Sequence, residues 1–137
     1  MKVFVDTNVF IDILLDRNPF SNDAQMVYKL CENRLIEGYI APITVNNIYY
    51  ICRKAKALES IKAYLTDIST HFRIATMDNE SVKKANRLHI TDYEDALQYA
   101  MAMQETCQYL ITRNTKDFKH METIKVVTPE AFLALFK

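Results

Sequence analysis

The chain begins with Met1-Lys2-Val3-Phe4-Val5-Asp6-Thr7-Asn8-Val9-Phe10-Ile11-Asp12, in which a short apolar run ends in an acid. A second apolar run with helical spacing follows at once. This order predicts a buried strand over residues 2–6 and a helix directly after it. In an open α/β sheet, ligands bind in the crevice outside the carboxyl ends of the strands. Asp6 is therefore the first candidate for a functional side chain.

The rest of the chain continues this alternation of strands and helices. Short apolar runs predict further strands over residues 38–41, 72–75, 108–112 and 124–127. Helical spacing predicts helices over residues 8–15, 22–33, 45–52, 58–69, 79–88 and 92–103, and a last one from Pro129. Candidate helix N-caps are Ser21 or Asn22, Thr44, and Asp78 or Asn79. Strands separated by helices favour parallel pairing, and so a three-layer α/β/α sandwich with a central, mostly parallel sheet.

Composition limits the class of protein. A chain of 137 residues, half of them hydrophobic, is expected to form one domain over residues 1–137. Lys plus Arg and Asp plus Glu both number 17, so any contact with nucleic acid must use a local basic patch. Gly38 is the only glycine, which excludes a Gly-rich phosphate loop.

The cysteines and the amino terminus bear on the compartment. The three cysteines, Cys31, Cys52 and Cys107, contain no CxxC spacing, which argues against a disulfide framework or a zinc site. They are expected to pack as small apolar residues in a reducing compartment. The amino terminus lacks the features of a signal peptide, and no stretch approaches the ~18 apolar residues of a membrane span. We therefore expect a cytoplasmic protein without membrane association.

Polar side chains gather at four places where strands are predicted to end or helices to begin. These are Asp6, the pair Asn46-Asn47, the run Asp92-Tyr93-Glu94-Asp95, and the segment Thr112-Arg113-Asn114-Thr115-Lys116-Asp117. Converging carboxylates repel one another unless a cation lies among them or some become protonated. Hard divalent cations such as Mg²⁺ prefer oxygen ligands, and such a site suits phosphodiester hydrolysis.

Taken together, these segments resemble the PIN domain family. The resemblance rests on Val5-Asp6-Thr7-Asn8-Val9, Ile43-Thr44-Val45-Asn46-Asn47-Ile48-Tyr49-Tyr50, Asp92-Tyr93-Glu94-Asp95-Ala96-Leu97-Gln98, and Leu110-Ile111-Thr112-Arg113-Asn114 with Asp117-Phe118. They occur in the family's order and span nearly the whole chain. The resemblance implies a PIN-type nuclease fold with an acidic site that depends on Mg²⁺ or Mn²⁺. In length the chain is similar to the VapC-type toxins of bacterial toxin–antitoxin modules, which cut RNA and are silenced by an antitoxin.

The resemblance also assigns roles to individual residues. Asp6 matches the family's first acid, and Asp95 matches the acid that precedes Ala in the third block. The implied catalytic residues are Asp6, Asp92, Asp95 and Asp117. The implied metal ligands are Asp6, Asp95 and Asp117. The implied supporting polar residues are Asn8, Asn47, Thr112 and Asn114.

Asn47 departs from the family pattern, which commonly has a glutamate there. An amide oxygen can coordinate a metal, but it supplies no charge and cannot act as a general base. Two interpretations therefore stay open. The first is a metal-dependent endoribonuclease, the toxin of a toxin–antitoxin module, with RNA as substrate, an antitoxin as partner and a homodimer as its assembly. The alternative is a catalytically weak or inactive PIN-like module that binds RNA or protein.

Several neighbouring residues are expected to lie outside the site. Asp12 is predicted to face solvent, and Glu94 to point elsewhere on its helix than Asp95 does. The Tyr49-Tyr50 pair is expected to pack. The basic run Arg53, Lys54 and Lys56 is either a solvated face or a contact for substrate phosphates.

Overall fold

The computed structural model describes residues 1–136. The strands are β1 (Lys2–Val5), β2 (Glu37–Ile40), β3 (Phe72–Ile74), β4 (Tyr109–Ile111) and β5 (Lys125–Val127). The α-helices are α1 (Thr7–Leu14), α2 (Ser21–Glu32), α3 (Pro42–Cys52), α4 (Leu58–His71), α5 (Asn79–Arg87), α6 (Tyr93–Gln104) and α7 (Pro129–Leu133). Two short 3₁₀ helices cover Thr115–Phe118 and Ala134–Phe136.

The strands form one parallel sheet in the order β3-β2-β1-β4-β5. This confirms the predicted α/β class. From β1 the chain first builds the sheet outward through β2 to β3, and later adds β4 and β5 on the other side of β1. The strand order therefore reverses between β1 and β4. In open α/β sheets, the crevice at such a reversal is where ligands bind.

Two apolar clusters pack on opposite faces of the sheet. Successive side chains of a strand point to opposite faces. Val3 and Val5 accordingly join a cluster with residues of α1, α2, α3 and α4, whereas Phe4 joins a cluster with residues of α5 and α6. The result is the three-layer α/β/α arrangement that the sequence predicts.

Gly38 lies in β2 where packing leaves no room for a side chain. A Cβ atom at this position would lie 2.5 Å from Phe72 Cδ2 and 2.7 Å from Cys31 Sγ. The only glycine of the chain is thus explained by a close approach between β2, α2 and β3.

The predicted caps are correct for α5 and wrong for α2 and α3. Asp78 caps α5 by accepting from the Ser81 backbone N–H. Ser21, in contrast, is the first residue of α2 and donates its hydroxyl to Asp16 over 2.8 Å. The Thr44 hydroxyl lies 2.8 Å from the Thr7 hydroxyl in a buried contact between α1 and α3. In both cases, the hydroxyl that the sequence suggests as a cap hydrogen-bonds instead to a residue outside the helix.

Cys31, Cys52 and Cys107 are buried free thiols, which fits the predicted packing role. Burial raises the pKa of Cys31 and that of Cys107 to about 12, so neither is a reactive thiolate at neutral pH. Within residues 1–136, no helix is both long enough and apolar enough to cross a membrane.

Candidate active site

Asp6 follows β1 directly and lies at the reversal of the strand order, where it also caps α1. Its Oδ1 accepts from the Thr7 N–H at 2.7 Å and from Gln98 Nε2 at 2.8 Å. Its Oδ2 accepts from Asn8 Nδ2 at 2.8 Å and from the Thr112 hydroxyl at 2.7 Å. The carboxylate is therefore held by α1, α6 and the residue that follows β4.

The environment of Asp6 disfavours its anionic form. The side chain is only 5% exposed, and burial raises its pKa. Hydrogen bonds from Thr112, Gln98 and the Thr7 backbone partly offset this, whereas the charge of Asp92 adds to it. The oxygens are fixed in place, but the negative charge is incompletely compensated.

Gln98 is a neighbour of Asp6 for which the sequence analysis proposed no role. It is fully buried and donates to Asp6 from the second turn of α6. Its position three residues after Asp95 is the signal that could have identified it, because residues i and i+3 share a helix face.

Asp92 and Asp95, at the start of α6, line a cleft together with Asp6. Asp92 is the N-cap of α6, and its Oδ1 accepts from the Asp95 N–H at 3.0 Å. Asp95 is 7% exposed. Burial, hydrogen bonding with Asp117 and the nearby charges of Asp6 and Asp92 together raise the pKa of Asp95 to about 8. Asp95 thus lies within electrostatic reach of three other carboxyl groups, those of Asp6, Asp92 and Asp117.

Glu94 also lines this cleft, so the prediction that it points elsewhere is wrong. Glu94 Oε1 accepts from Asn47 Nδ2 at 2.5 Å, across the gap between α6 and α3. Burial raises the pKa of Glu94, the bond from Asn47 lowers it, and the charges of Asp6 and Asp92 raise it. Although Glu94 and Asp95 lie about 100° apart around α6, α3 lies opposite the start of that helix, and both side chains reach the cleft.

The segment after β4 closes one side of the cleft. The Asn114 N–H donates to the Thr112 hydroxyl at 3.0 Å, and its side chain donates to Asp117. Asn114 lines the cleft itself. Asp117 is exposed, in the 3₁₀ helix that the buried Phe118 anchors, and it reaches the site through Asn114 and Asp95.

Asp12 is not solvent-facing as predicted but 1% exposed. Arg113 binds it at two points, with Nε at 2.5 Å from Oδ2 and an amino nitrogen at 3.0 Å from Oδ1. Arg17 adds an ion pair at 3.7 Å. The partner that buries Asp12 lies 101 residues further along the chain, which is why local spacing does not reveal it.

Tyr50 stands at the rim of the cleft, so the expectation that it packs is also wrong. It is 59% exposed, and the guanidinium of Arg53 lies 3.9 Å from its ring centre. The buried face of α3 runs instead through Thr44, Ile48 and Cys52. Arg17 shares the rim with Tyr50.

The donor atoms of the cleft fit a hard divalent cation. They are carboxylate and amide oxygens, which Mg²⁺ prefers. Asn8 Oδ1 and Gln98 Oε1 are buried and accept no hydrogen bond from any described residue, although the same two amides donate to Asp6. A cation, or its water shell, would satisfy these oxygens and offset the burial and the carboxylate repulsion that raise the pKa of Asp95.

Comparison with known proteins gives matches along most of the chain. A model of the PIN domain matches residues 2–116. A ribonuclease VapC1 from Aquifex aeolicus is 30% identical over 139 aligned positions, which cover 96% of this chain and 92% of the relative.

Solved structures share the fold. A toxin–antitoxin complex from Klebsiella pneumoniae matches with a TM-score of 0.69 and 25% identity, over 93% of this chain and 97% of the other. VapBC2 from Rickettsia felis, bound to a DNA fragment from the promoter of the pair, matches with a TM-score of 0.68 and 19% identity, over 92% and 97%.

Proposed function

This chain belongs to the PIN domain family, and we propose that it is a divalent-metal-dependent endoribonuclease, the toxin of a toxin–antitoxin pair. The observation that carries the proposal is the meeting of Asp6 and Asp95 in the crevice at the reversal of strand order. The likeness to a ribonuclease VapC1 over nearly the whole length supports the reaction. The likeness to the Klebsiella pneumoniae complex supports the toxin role.

The residues have distinct tasks in this proposal. Asp6, Asp95 and Asp117 would hold Mg²⁺ or Mn²⁺, with Asp92 at the same edge. Such an ion, when bound, supplies Lewis acidity that activates water and offsets negative charge on the reacting phosphate. Thr112, Asn8 and Gln98 keep the Asp6 oxygens oriented through hydrogen bonds. Asn114 orients Asp117 in the same way.

RNA would reach this site along the rim of the cleft. The formal net charge of the chain is zero, so phosphate contacts depend on local cations. Arg17 lines the cleft and Arg53 stacks on Tyr50 at its edge. We assign these two arginines to the substrate backbone.

The proposal is tested with Asp6→Asn and Asp95→Asn, which keep side-chain size and remove charge. Both variants should lose Mg²⁺-dependent cleavage of single-stranded RNA while keeping the far-UV circular dichroism of the parent. Glu122→Gln, at an exposed glutamate before β5, is the control and should cut RNA as the parent does. Parental cleavage rates in both site variants would reject the assignment.

Because Asn47 supplies no charge to the site, one alternative stays open: a PIN-like module that binds RNA or protein with little catalysis. Calorimetry separates the two functions. Heat of Mg²⁺ or Mn²⁺ binding to the parent favours the nuclease, whereas none at millimolar metal favours the binding module.

We also propose an antitoxin partner, a homodimer and a cytoplasmic location. The free thiols of Cys31, Cys52 and Cys107 support a reducing compartment. Met26 on α2 and Leu35 in the loop that follows it are 50% and 65% exposed and offer apolar surface for a second chain. Light scattering after size exclusion, with and without the protein encoded beside this gene, measures both assemblies.

A further inference from the structure

The resemblance to the PIN family implies a glutamate on α3 at the position of Asn47, and in this chain a carboxylate reaches the same cleft from α6 instead. We propose that Glu94 supplies the metal-site carboxylate that α3 lacks, and that Asn47 positions it. The proposal rests on the proposed function, because it assigns a further ligand to the same site.

The contact between the two residues is direct and specific. Asn47 Nδ2 donates to Glu94 Oε1 at 2.5 Å, joining α3 to α6 across 47 residues of sequence. Both side chains are half-buried and line the cleft with Asp6, Asp92 and Asp95. In the hydrogen bonds of residues 1–136, Glu94 engages only through Oε1, so its second oxygen is free for a ligand.

The pairing also follows from charge. A glutamate at position 47 would place two carboxylates against each other, whereas the amide donates a hydrogen bond to Glu94. The pair therefore brings one carboxylate to the cleft, from α6, while the residue on α3 serves as its hydrogen-bond donor. Glu94 lies within reach of the Asp6 and Asp92 charges, as a ligand of a shared cation must.

A purely structural interpretation is that the bond only ties α3 to α6. It predicts that loss of Glu94 lowers stability without changing metal affinity. The ligand interpretation predicts a loss of affinity, because the affinity of oxygen-ligand sites depends on the number of charged ligands.

The experiment is titration calorimetry of Mn²⁺ with the full chain. Glu94→Gln should raise the dissociation constant for Mn²⁺ by about tenfold or more. The exchange variant, Asn47→Glu with Glu94→Gln, should return most of that affinity, because it restores the carboxylate on α3. Glu122→Gln, at an exposed glutamate before β5, is the matched control and should bind as the parent does.

The outcomes distinguish the role of Glu94 from the proposed nuclease function on which it rests. Parental Mn²⁺ affinity and RNA cleavage in Glu94→Gln would overturn the role of Glu94 and leave the nuclease proposal standing. A parent that neither binds Mn²⁺ nor cuts RNA would overturn both. Glu94→Gln could bind Mn²⁺ more weakly while the exchange variant, also folded, fails to restore the affinity. That result would overturn the claim that a carboxylate on α3 and one at Glu94 are interchangeable.

Discussion

The acids of the cleft differ in how their charge is compensated. Asp6 receives four hydrogen bonds, all from neutral donors: one backbone N–H, two amides and one hydroxyl. Such donors orient a carboxylate but do not neutralise it. Of the two arginines at the rim, Arg17 is engaged with Asp12 and Arg53 lies over the Tyr50 ring. Hydrogen bonds alone therefore leave the charge of Asp6 incompletely compensated, and Asp95 keeps a proton instead.

This imbalance predicts how the metal-free protein responds to pH. Because the pKa of Asp95 is raised to about 8, the folded state keeps a proton that the unfolded chain has already lost above about pH 4. The contribution of Asp95 to stability is then greatest below about pH 4 and is lost as the pH rises toward about 8. In EDTA, the melting temperature should fall between about pH 5 and pH 8, and Asp95→Asn should flatten the slope.

Added Mg²⁺ is the control for the pH experiment, because a ligand that binds only the folded state raises the melting temperature. It should stabilise the parent most at the high end of the range, where Asp95 is ionised. A metal-free melting temperature that rises over this range would contradict the prediction.

At the level of elements, the ion pair of Asp12 with Arg113 ties α1 to the segment after β4. Arg113→Met leaves the Asp12 carboxylate, which is 1% exposed, with only the longer ion pair to Arg17 at 3.7 Å. Breaking a buried pair from one side costs about 3–5 kcal/mol, and we expect the lower end because the Arg113 side chain is 29% exposed. Urea unfolding measures the loss. Arg87→Met, at an exposed position of α5, should change stability little, and equal effects of the two variants would contradict the role of the pair.

The strands were predictable because each is a short apolar run that ends in polar residues. Residues 2–6, for example, contain β1 and place Asp6 at its end. The caps of α2 and α3 were not predictable, because the Ser21 hydroxyl hydrogen-bonds to Asp16 and the Thr44 hydroxyl to Thr7. Propensity describes what a hydroxyl can do locally, whereas packing decides which partner it takes.

The same distinction applies to the candidate site. Asp6 follows from local pattern, because it is an acid at the end of the first strand, whereas Asp95 was assigned through the resemblance of its segment to the PIN family. The place of Glu94 depends on where α3 lies relative to α6, and the place of Asp12 on Arg113. Neither packing relation is encoded in the neighbouring residues, and the structure was needed to find them.

At the level of the whole molecule, one sheet lies between two apolar clusters that share β1 as a central strand. We propose that residues 1–137 form a single domain. Disrupting one cluster exposes the sheet face that supports the other, so the two should unfold together. Urea unfolding followed by far-UV circular dichroism and by near-UV tyrosine signal should give coincident single transitions. Separate midpoints would divide the chain into two cooperative units.

The pairing of β1 with β4 also sets the time at which the cleft can form during synthesis. Asp6 emerges from the ribosome early, but the Thr112 hydroxyl that orients it comes 106 residues later. At about 5–20 residues per second, translation leaves the first acid without its partners for several seconds. A nascent chain therefore carries no assembled cleft before Thr112 has been made. In the proposed toxin role, an antitoxin already present in the cell would have that interval before a competent nuclease forms.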